Sequence, residues 1–151
     1  MNFLTRFTNN KLIKNGIDTF CDIRQRRGVR GREYSFVNSN RLQATLHEIG
    51  ITYCYFKELA PTQEIRDLQK AADKENKELK RDRQKLGVVF TENYNNKILS
   101  TFNINGFINQ LKEIGANKVV LFCVEEHHGA CHRSLVTYKI SSELKLNIQH
   151  L

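Results

Sequence analysis

The feature that most constrains the fold is the alternation of short apolar runs with segments of helical periodicity. Three runs are rich in β-branched and aromatic residues, and they span Ile17 to Ile23, Ile51 to Phe56 and Lys118 to Cys123. Runs of this length and composition are typical of buried strands. Because parallel strands need a crossover connection, usually a helix, the alternation predicts a parallel sheet covered on both faces. The chain is therefore predicted to form a small three-layer α/β domain with a mostly parallel, Rossmann-like sheet.

The helices are predicted from the spacing of apolar residues and from start and stop signals. Thr62 follows Pro61 and opens a long charged stretch, which is predicted as a helix or a helical pair through residue 86. A closing strand is predicted from Leu146 to His150, and no prediction is made for residues 87–102. The other predicted helices cover residues 3–15, 39–50, 103–114 and 131–145.

Length and composition indicate one soluble domain. A chain of 151 residues has room for a single core, so we expect one α/β domain over residues 1–151 that includes the charged stretch 62–86. Apolar residues make up 40% of the chain and occur in runs too short to span a bilayer. The first residues lack the features of a secretory signal. We therefore expect a cytoplasmic protein with no membrane partner, and the sequence leaves its oligomeric state open.

The charge balance favours an anionic partner. The chain has 24 Lys and Arg residues against 16 Asp and Glu residues, which gives a formal net charge of +8. Such a charge attracts nucleic acids and nucleotides over a long range. Many basic proteins bind neither, so the charge is a weak indication by itself.

The four cysteines fall into two classes. All four are expected to be reduced, because cytosolic thiol buffers keep cysteines in that state. Cys21 and Cys54 lie inside apolar runs, where cysteine commonly behaves as a small buried hydrophobe. Cys123 and Cys131 have polar and ionisable neighbours instead, and we expect them to belong to a functional turn.

An arginine-rich loop follows the first predicted strand. Five of the nine residues from Arg24 to Arg32 are arginine, and Gly28 and Gly31 lie among them. One interpretation is a solvated, flexible segment. The other is a phosphate-binding loop in which Arg27 and Arg30 bind the ligand, because guanidinium groups suit phosphate and glycine permits close backbone contact. The sequence leaves both open.

The turn between Cys123 and Ser134 carries the densest set of chemically active residues. A helix that begins near Cys131 would direct unpaired backbone amides and the positive end of its dipole at the loop before it, where anions bind favourably. Arg133 adds a two-pronged donor for phosphate or carboxylate. Asp22 and Arg24 end the first strand, and they would face the same crevice as this turn if the two strands are neighbours.

Three residues of this turn are candidate catalytic groups. The helix start and Arg133 are expected to lower the pKa of Cys131, which makes this thiol a candidate nucleophile that His132 could reinforce. Glu125 could act as a general base or bind a ligand hydroxyl. In the structural alternative, the cysteine packs or caps the helix, the arginine pairs with Glu125 and the histidine lies at the surface.

Metal binding is a further alternative for the same turn, because thiolate and imidazole suit zinc. The spacing does not favour it, since the turn has no pair of cysteines separated by two residues, and His150 or Asp22 would have to complete the site. We therefore predict no metal and no cofactor. The potential ligands in the turn are Cys123, His127, His128, Cys131 and His132.

These motifs resemble those of a known family. Cys123-Val-Glu125 followed by Cys131-His132-Arg133-Ser134 is similar to the end signature of the bacterial and archaeal domain of unknown function family 488. The arginine-rich loop resembles one branch of that family. The chain departs from the family in its opening, which lacks a Gly-His-Ser type turn, and in the arginine loop, which replaces the usual Pro and Ser. Other matching segments are Asp22-Ile23-Arg24, Gly50-Ile51-Thr52-Tyr53, Leu59-Ala60-Pro61-Thr62 and His150.

The resemblance implies a small α/β fold and a shared polar site but no named reaction. The leading hypothesis is a domain that binds an anionic ligand, a nucleotide or a nucleic acid, with Cys131 or Glu125 as the reactive group. The alternative is a noncatalytic nucleic-acid-binding module that uses the arginine loop. The site implied by the family consists of Asp22, Arg24, Glu125, Cys131, His132 and Arg133.

Overall fold

The computed structural model describes residues 11–28, 35, 37–77, 79, 85–124 and 128–151. They form three strands and five helices, with 3-10 turns at Lys57–Leu59 and His128–Ala130. The strands are β1 (Thr19–Asp22), β2 (Thr52–Tyr55) and β3 (Val119–Phe122). The helices are α1 (Ser39–Glu48), α2 (Gln63–Asn76), α3 (Val88–Tyr94), α4 (Ile104–Glu113) and α5 (His132–Leu144).

The sheet is parallel and has the strand order β2-β1-β3. In register, Thr19 of β1 pairs with Thr52 of β2 and with Val119 of β3. The chain leaves β1 for one neighbour and later crosses to the other side. The loops after β1 and β3 therefore diverge, and ligands bind at such a point of divergence in open α/β sheets. The predicted fold class is confirmed, and so are three of the four predicted strands.

Helices cover both faces of the sheet, as predicted. On one face, Phe20 of β1 packs in a core with Leu42 and Leu46 of α1. On the other face, Cys21 of β1 and Ile23, the residue after β1, belong to a core formed with α2, α3, α4 and α5. Successive residues of a strand point to opposite faces, so the four-residue β1 contributes to both cores and is buried along its whole length.

Two of the predicted helices begin at capping side chains. Thr62 Oγ1 accepts a hydrogen bond from the Ile65 amide at 3.3 Å, which caps α2. Asn103 Oδ1 accepts one from the Gly106 amide at 2.9 Å, which caps α4. These caps satisfy amides that have no partner inside the helix.

The charged helix is shorter than predicted. A single helix from residue 62 to 86 is wrong, because α2 ends at Asn76 and Lys77 adopts a left-handed conformation. The second helix of a predicted pair falls largely on residues 78 and 80–84, which lie outside the described residues. Ile65 is fully buried, whereas Leu68 and Leu79 are 40% and 53% exposed. The apolar stripe thus finds no continuous packing partner, and packing of the apolar face is what sustains most protein helices. Within the described ranges, no helix is both long and apolar enough to cross a membrane.

The predicted strand from Leu146 to His150 is wrong. Helix α5 ends at Leu144, Lys145 is left-handed, and the residues after it form neither a strand nor a helix. Leu146 is 49% exposed, because no sheet partner covers its side chain. The segment without a prediction, 87–102, contains α3 and a single π-helical turn at Asn95–Leu99.

The first predicted helix, residues 3–15, lies mostly outside the described residues. Residues 11–16 form a helical turn that stops at Gly16, where φ is +64°. This conformation agrees with the predicted stop at Asn15-Gly16.

Gly50 and Gly28 offer a matched test of backbone strain. A Cβ atom at either position would meet no heavy atom within 4 Å, but only Gly50, directly after α1, has a positive φ, of +74°. We expect Gly50→Ala to lower the free energy of unfolding by ~1 kcal/mol, because L side chains are strained in this region. Gly28→Ala should change it by less than ~0.5 kcal/mol. Urea denaturation measures the free energy of unfolding of both variants. Equal losses would contradict the assignment of backbone strain to position 50.

Candidate functional site

The two groups of predicted site residues lie at one edge of the sheet. β1 and β3 are parallel neighbours, and Asp22 pairs in register with Phe122. Asp22 and Arg24 therefore emerge beside the turn that begins at Cys123. A shared crevice is predicted only if β1 and β3 are neighbours, and the structure meets this condition.

Asp22 and Arg24 form a buried, internally satisfied ion pair. The Asp22 carboxylate accepts hydrogen bonds from Arg24 Nε at 2.9 Å, from Arg24 Nη2 at 2.8 Å and from the Arg24 amide at 3.1 Å. Tyr53 Oη donates a further bond at 2.7 Å. Arg24 Nη1 donates to the Val37 carbonyl at 2.8 Å, and its guanidinium lies 5.1 Å from the Phe122 ring centroid. These contacts make the pair a rigid support for the surrounding loops.

Arg27 is held by neutral partners at the same edge. Its guanidinium carbon lies 3.8 Å from the centroid of the Tyr55 ring. Arg27 Nη1 donates to Ser39 Oγ at 3.1 Å and to Tyr53 Oη at 3.3 Å. The side chain is thus fixed in place but retains partial exposure to solvent.

The electrostatics of this group keep Arg27 cationic and Tyr53 neutral. The hydrogen bond between Arg27 and Tyr53 raises the pKa of the Arg27 guanidinium group. Burial raises the pKa of the Tyr53 hydroxyl. Tyr53 therefore remains a donor to Asp22, and its hydroxyl joins the ion pair to Arg27.

A second cluster, formed by Cys123, Cys131 and His132, lies on the other face of β1. His132 Nδ1 lies 3.9 Å from Cys123 Sγ and 3.7 Å from Cys131 Sγ. These three atoms all lie within 4.8 Å of one another, and all three residues are buried. His132 Nε2 lies 2.9 Å from the carbonyl oxygen of Ile23, so the ring donates its Nε2 proton there. In the neutral ring, Nδ1 then presents a lone pair to the two sulfur atoms.

The pKa of Cys131 is raised, so the expectation of a lowered value is wrong. The hydrogen bond with Cys123 and burial of the thiol both raise it, whereas the Arg133 amide and guanidinium have smaller opposing effects. Only 1% of Cys131 is exposed. The helix start is present as predicted, but the thiol lies inside the protein. A nucleophilic role for Cys131 stays a prediction without support from this geometry.

Arg133 lies in the first turn of α5, next to the Cys-His cluster. Its Nη1 reaches the Cys123 carbonyl at 3.5 Å. The first turn of α5 contains no acidic residue, and no side chain caps it. No acidic side chain in this first turn therefore offsets the positive end of the helix dipole.

Some predicted site residues do not enter the described geometry. Glu125, Arg30 and His127 lie outside the described residues, and so does the orientation of the His128 side chain. Asp22 is bound to Arg24 and is absent from the Cys-His cluster, so the suggestion that it completes a metal site is wrong for this structure.

The sequence analysis missed Ser39, Tyr53 and Tyr55 as functional side chains. The signal for Tyr53 and Tyr55 was the two-residue period of β2, which places both on one face. The register, which sets Tyr55 beside Asp22, and the contact of Ser39 with Arg27 come from the tertiary structure. An open cleft of about 540 Å³ lies nearby and includes Tyr53 and His47 in its lining. Cys131 does not line this cleft.

Comparison with known proteins gives one match. The model of the family described as "Domain of unknown function DUF488" matches residues 4–140, which confirms the resemblance drawn from the sequence motifs. No curated protein and no solved structure matches the chain.

Replacement of Asp22 tests the buried ion pair. Asp22→Asn keeps the size of the side chain but sets an amide donor against Arg24 and Tyr53. We expect the free energy of unfolding to fall by ~3–5 kcal/mol, the usual cost of leaving a buried charge unpaired.

The matched control is Glu64→Gln, which removes the 2.6 Å ion pair of an exposed carboxylate with Lys97. Exposed pairs contribute at most ~1 kcal/mol, so this variant should unfold nearly like the wild type. A loss at Asp22 no larger than that at Glu64 in urea denaturation would contradict a supporting role.

Alkylation rates test the state of Cys131. In reduced, chelator-treated protein, iodoacetamide should modify partly exposed Cys54 at least ~10-fold faster than Cys131. Burial raises the pKa of both thiols, so the difference comes from access to the reagent, since only 1% of Cys131 is exposed. Unfolding in guanidinium chloride should abolish the difference between the two alkylation rates. Peptide mass spectrometry measures both rates, and an apparent Cys131 pKa well below ~8.5 would instead establish an activated thiolate.

Proposed function

The chain belongs to the DUF488 family, and we propose that it binds a phosphate-bearing ligand, a nucleotide or a nucleic acid, at the carboxyl edge of its sheet. The observation that carries the proposal is the fixed position of Arg27. Arginine is suited to phosphate because its planar fork donates two parallel hydrogen bonds.

The contacts of Arg27 support this role in two ways. Its described hydrogen-bond partners are the hydroxyl groups of Ser39 and Tyr53, so no carboxylate among the described residues forms a hydrogen bond with its guanidinium group. The stack on Tyr55 and these two bonds also restrict the rotamers of the side chain. A ligand that binds a preorganised arginine pays less conformational entropy than one that must order it.

The opposite side of β1 supplies a second electropositive element. Arg133 and the first turn of α5 follow β3, whereas Arg27 contacts β2. Strands are spaced by ~4.8 Å, so the ends of β2 and β3, on either side of β1, are about 10 Å apart. The net charge of +8 adds long-range attraction for the same ligands.

The proposal assigns no reaction. Cys131 is buried, its pKa is raised, and Glu125 lies outside the described residues, so neither is assigned a catalytic role. The burial of both Cys123 and Cys131 favours the noncatalytic nucleic-acid-binding module as the second candidate. In that case a polymer should bind far more tightly than a mononucleotide, because it contacts more cationic groups.

Binding of a fluorescein-labelled single-stranded oligonucleotide, with ATP as a competitor, tests the proposal. Arg27→Ala should weaken binding by about 10–100-fold, the equivalent of a charge-assisted hydrogen bond of ~1.5–3 kcal/mol. It should also reduce by about one the slope of log affinity against log salt concentration. Fluorescence anisotropy measures both quantities.

The matched control is Lys112→Ala, which removes one exposed positive charge at the C-terminal end of α4, before β3 begins. A generic effect of net charge would weaken binding equally in both variants and would contradict a site at Arg27. Competition by ATP would identify a nucleotide site, and binding of the polymer alone would identify the nucleic-acid module.

A further inference from the structure

We propose that Cys123, Cys131 and His132 bind a divalent metal ion of the zinc class. This inference goes beyond the proposed ligand site and does not depend on it, because the three side chains lie on the other face of β1 from Arg27. Thiolate and imidazole are the ligands that zinc prefers in proteins.

The spacing of the three ligand atoms matches a tetrahedral site. Zinc bonds of ~2.3 Å to sulfur and ~2.0–2.1 Å to nitrogen imply sulfur–nitrogen separations of about 3.6 Å at the tetrahedral angle. The observed separations from His132 Nδ1 are 3.9 Å to Cys123 Sγ and 3.7 Å to Cys131 Sγ. The two sulfur atoms lie within 4.8 Å of each other, and a tetrahedral site implies a sulfur–sulfur separation of about 3.8 Å. Small side-chain shifts would therefore suffice to bind the ion.

The hydrogen bond at the far side of the imidazole is a second, independent indication. His132 Nε2 donates to the Ile23 carbonyl at 2.9 Å, at the end of β1. Metal-binding histidines almost always donate their other ring N–H to a carboxylate or a backbone carbonyl, which fixes the tautomer and the ring plane. This bond leaves Nδ1 as the metal-binding atom and directs it at both sulfur atoms.

The surroundings of the cluster also suit a bound ion. The three residues come from two adjoining elements, since Cys123 follows β3 while Cys131 and His132 begin α5. The Tyr94 ring lies 5.5 Å from the His132 ring and packs with Phe90, which closes one side with aromatic carbon. The Tyr94 hydroxyl donates to the Leu59 carbonyl and does not compete for the imidazole. Apolar walls of this kind limit solvent access to a metal site.

The ligand set defines the type of site. Three protein ligands leave a fourth tetrahedral position for water or for an oxygen atom of a ligand, as in zinc sites that are not closed by four side chains. Cys123 and Cys131 are not separated by the two residues that are typical of zinc-binding motifs, so the sequence did not favour these three ligands. The turn of the backbone between β3 and α5 brings the two thiols together.

Cobalt provides the test, because Co²⁺ bound to thiolate in a tetrahedral site absorbs through charge-transfer and intense d–d bands. Full-length protein is reduced with a phosphine, treated with a chelator, desalted and titrated with CoCl₂. One equivalent of Co²⁺ should produce both bands, and ZnCl₂ should abolish them by displacement. Cys123→Ser and Cys131→Ser should each weaken Co²⁺ binding by at least ~100-fold, more than the usual cost of losing a supporting hydrogen bond.

The matched control is Cys54→Ser, which removes a half-exposed thiol of β2 and should bind Co²⁺ like the wild type. Circular dichroism of each metal-free variant checks that it folds. Absence of a thiolate–cobalt band in the reduced wild-type protein would overturn the proposal without any variant. A band that persists in Cys131→Ser, or that disappears in Cys54→Ser, would overturn it as well.

Discussion

The ion pair between Asp22 and Arg24 is the interaction on which the carboxyl edge of the sheet depends. It joins the end of β1 to β2 through Tyr53, to the segment before α1 through the Val37 carbonyl and to β3 through the Phe122 ring. A buried pair is costly to desolvate and is stable only when its remaining donors and acceptors are bonded. Every donor named here meets an acceptor, so this condition is met at the edge.

The alternation of side chains along β1 separates two chemical environments at this edge. Asp22 points toward the α1 face, where it orders Tyr53 and through it Arg27. Ile23 belongs to the opposite core, and its carbonyl orients His132. One short strand thus positions a cationic group on one face and a thiol–imidazole cluster on the other. The period of two residues in a strand is the physical reason for this division.

The Cys-His cluster shows how burial can outweigh a local electrostatic effect. The start of α5 and Arg133 favour the thiolate of Cys131, and sequence analysis correctly identified both effects. Removal from water and the neighbouring Cys123 thiol are stronger, because burial in a medium of low polarity disfavours any isolated charge. A metal ion would compensate this cost directly, since thiolates are stable in the interior when they are coordinated.

Much of the fold could be predicted from local pattern. The three apolar runs identified all three strands, and the Thr62 and Asn103 caps marked the starts of α2 and α4. The errors concern segments whose local pattern has no tertiary partner. Leu68 and Leu79, which continue the stripe after Ile65, are exposed, and α2 ends at Asn76. The segment from Leu146 onward pairs with no strand among the described residues.

The sequence by itself determined the parallel α/β class, the placement of the candidate residues directly after two of its strands, and the residue types available there. These follow from periodicity and from the geometry of crossover connections, which are local properties. Only the tertiary structure decided that Tyr53 and Tyr55 flank Arg27, that Cys131 is buried, and that Cys123 faces His132. Those outcomes depend on strand register and on the packing of residues distant in sequence, which local pattern does not encode.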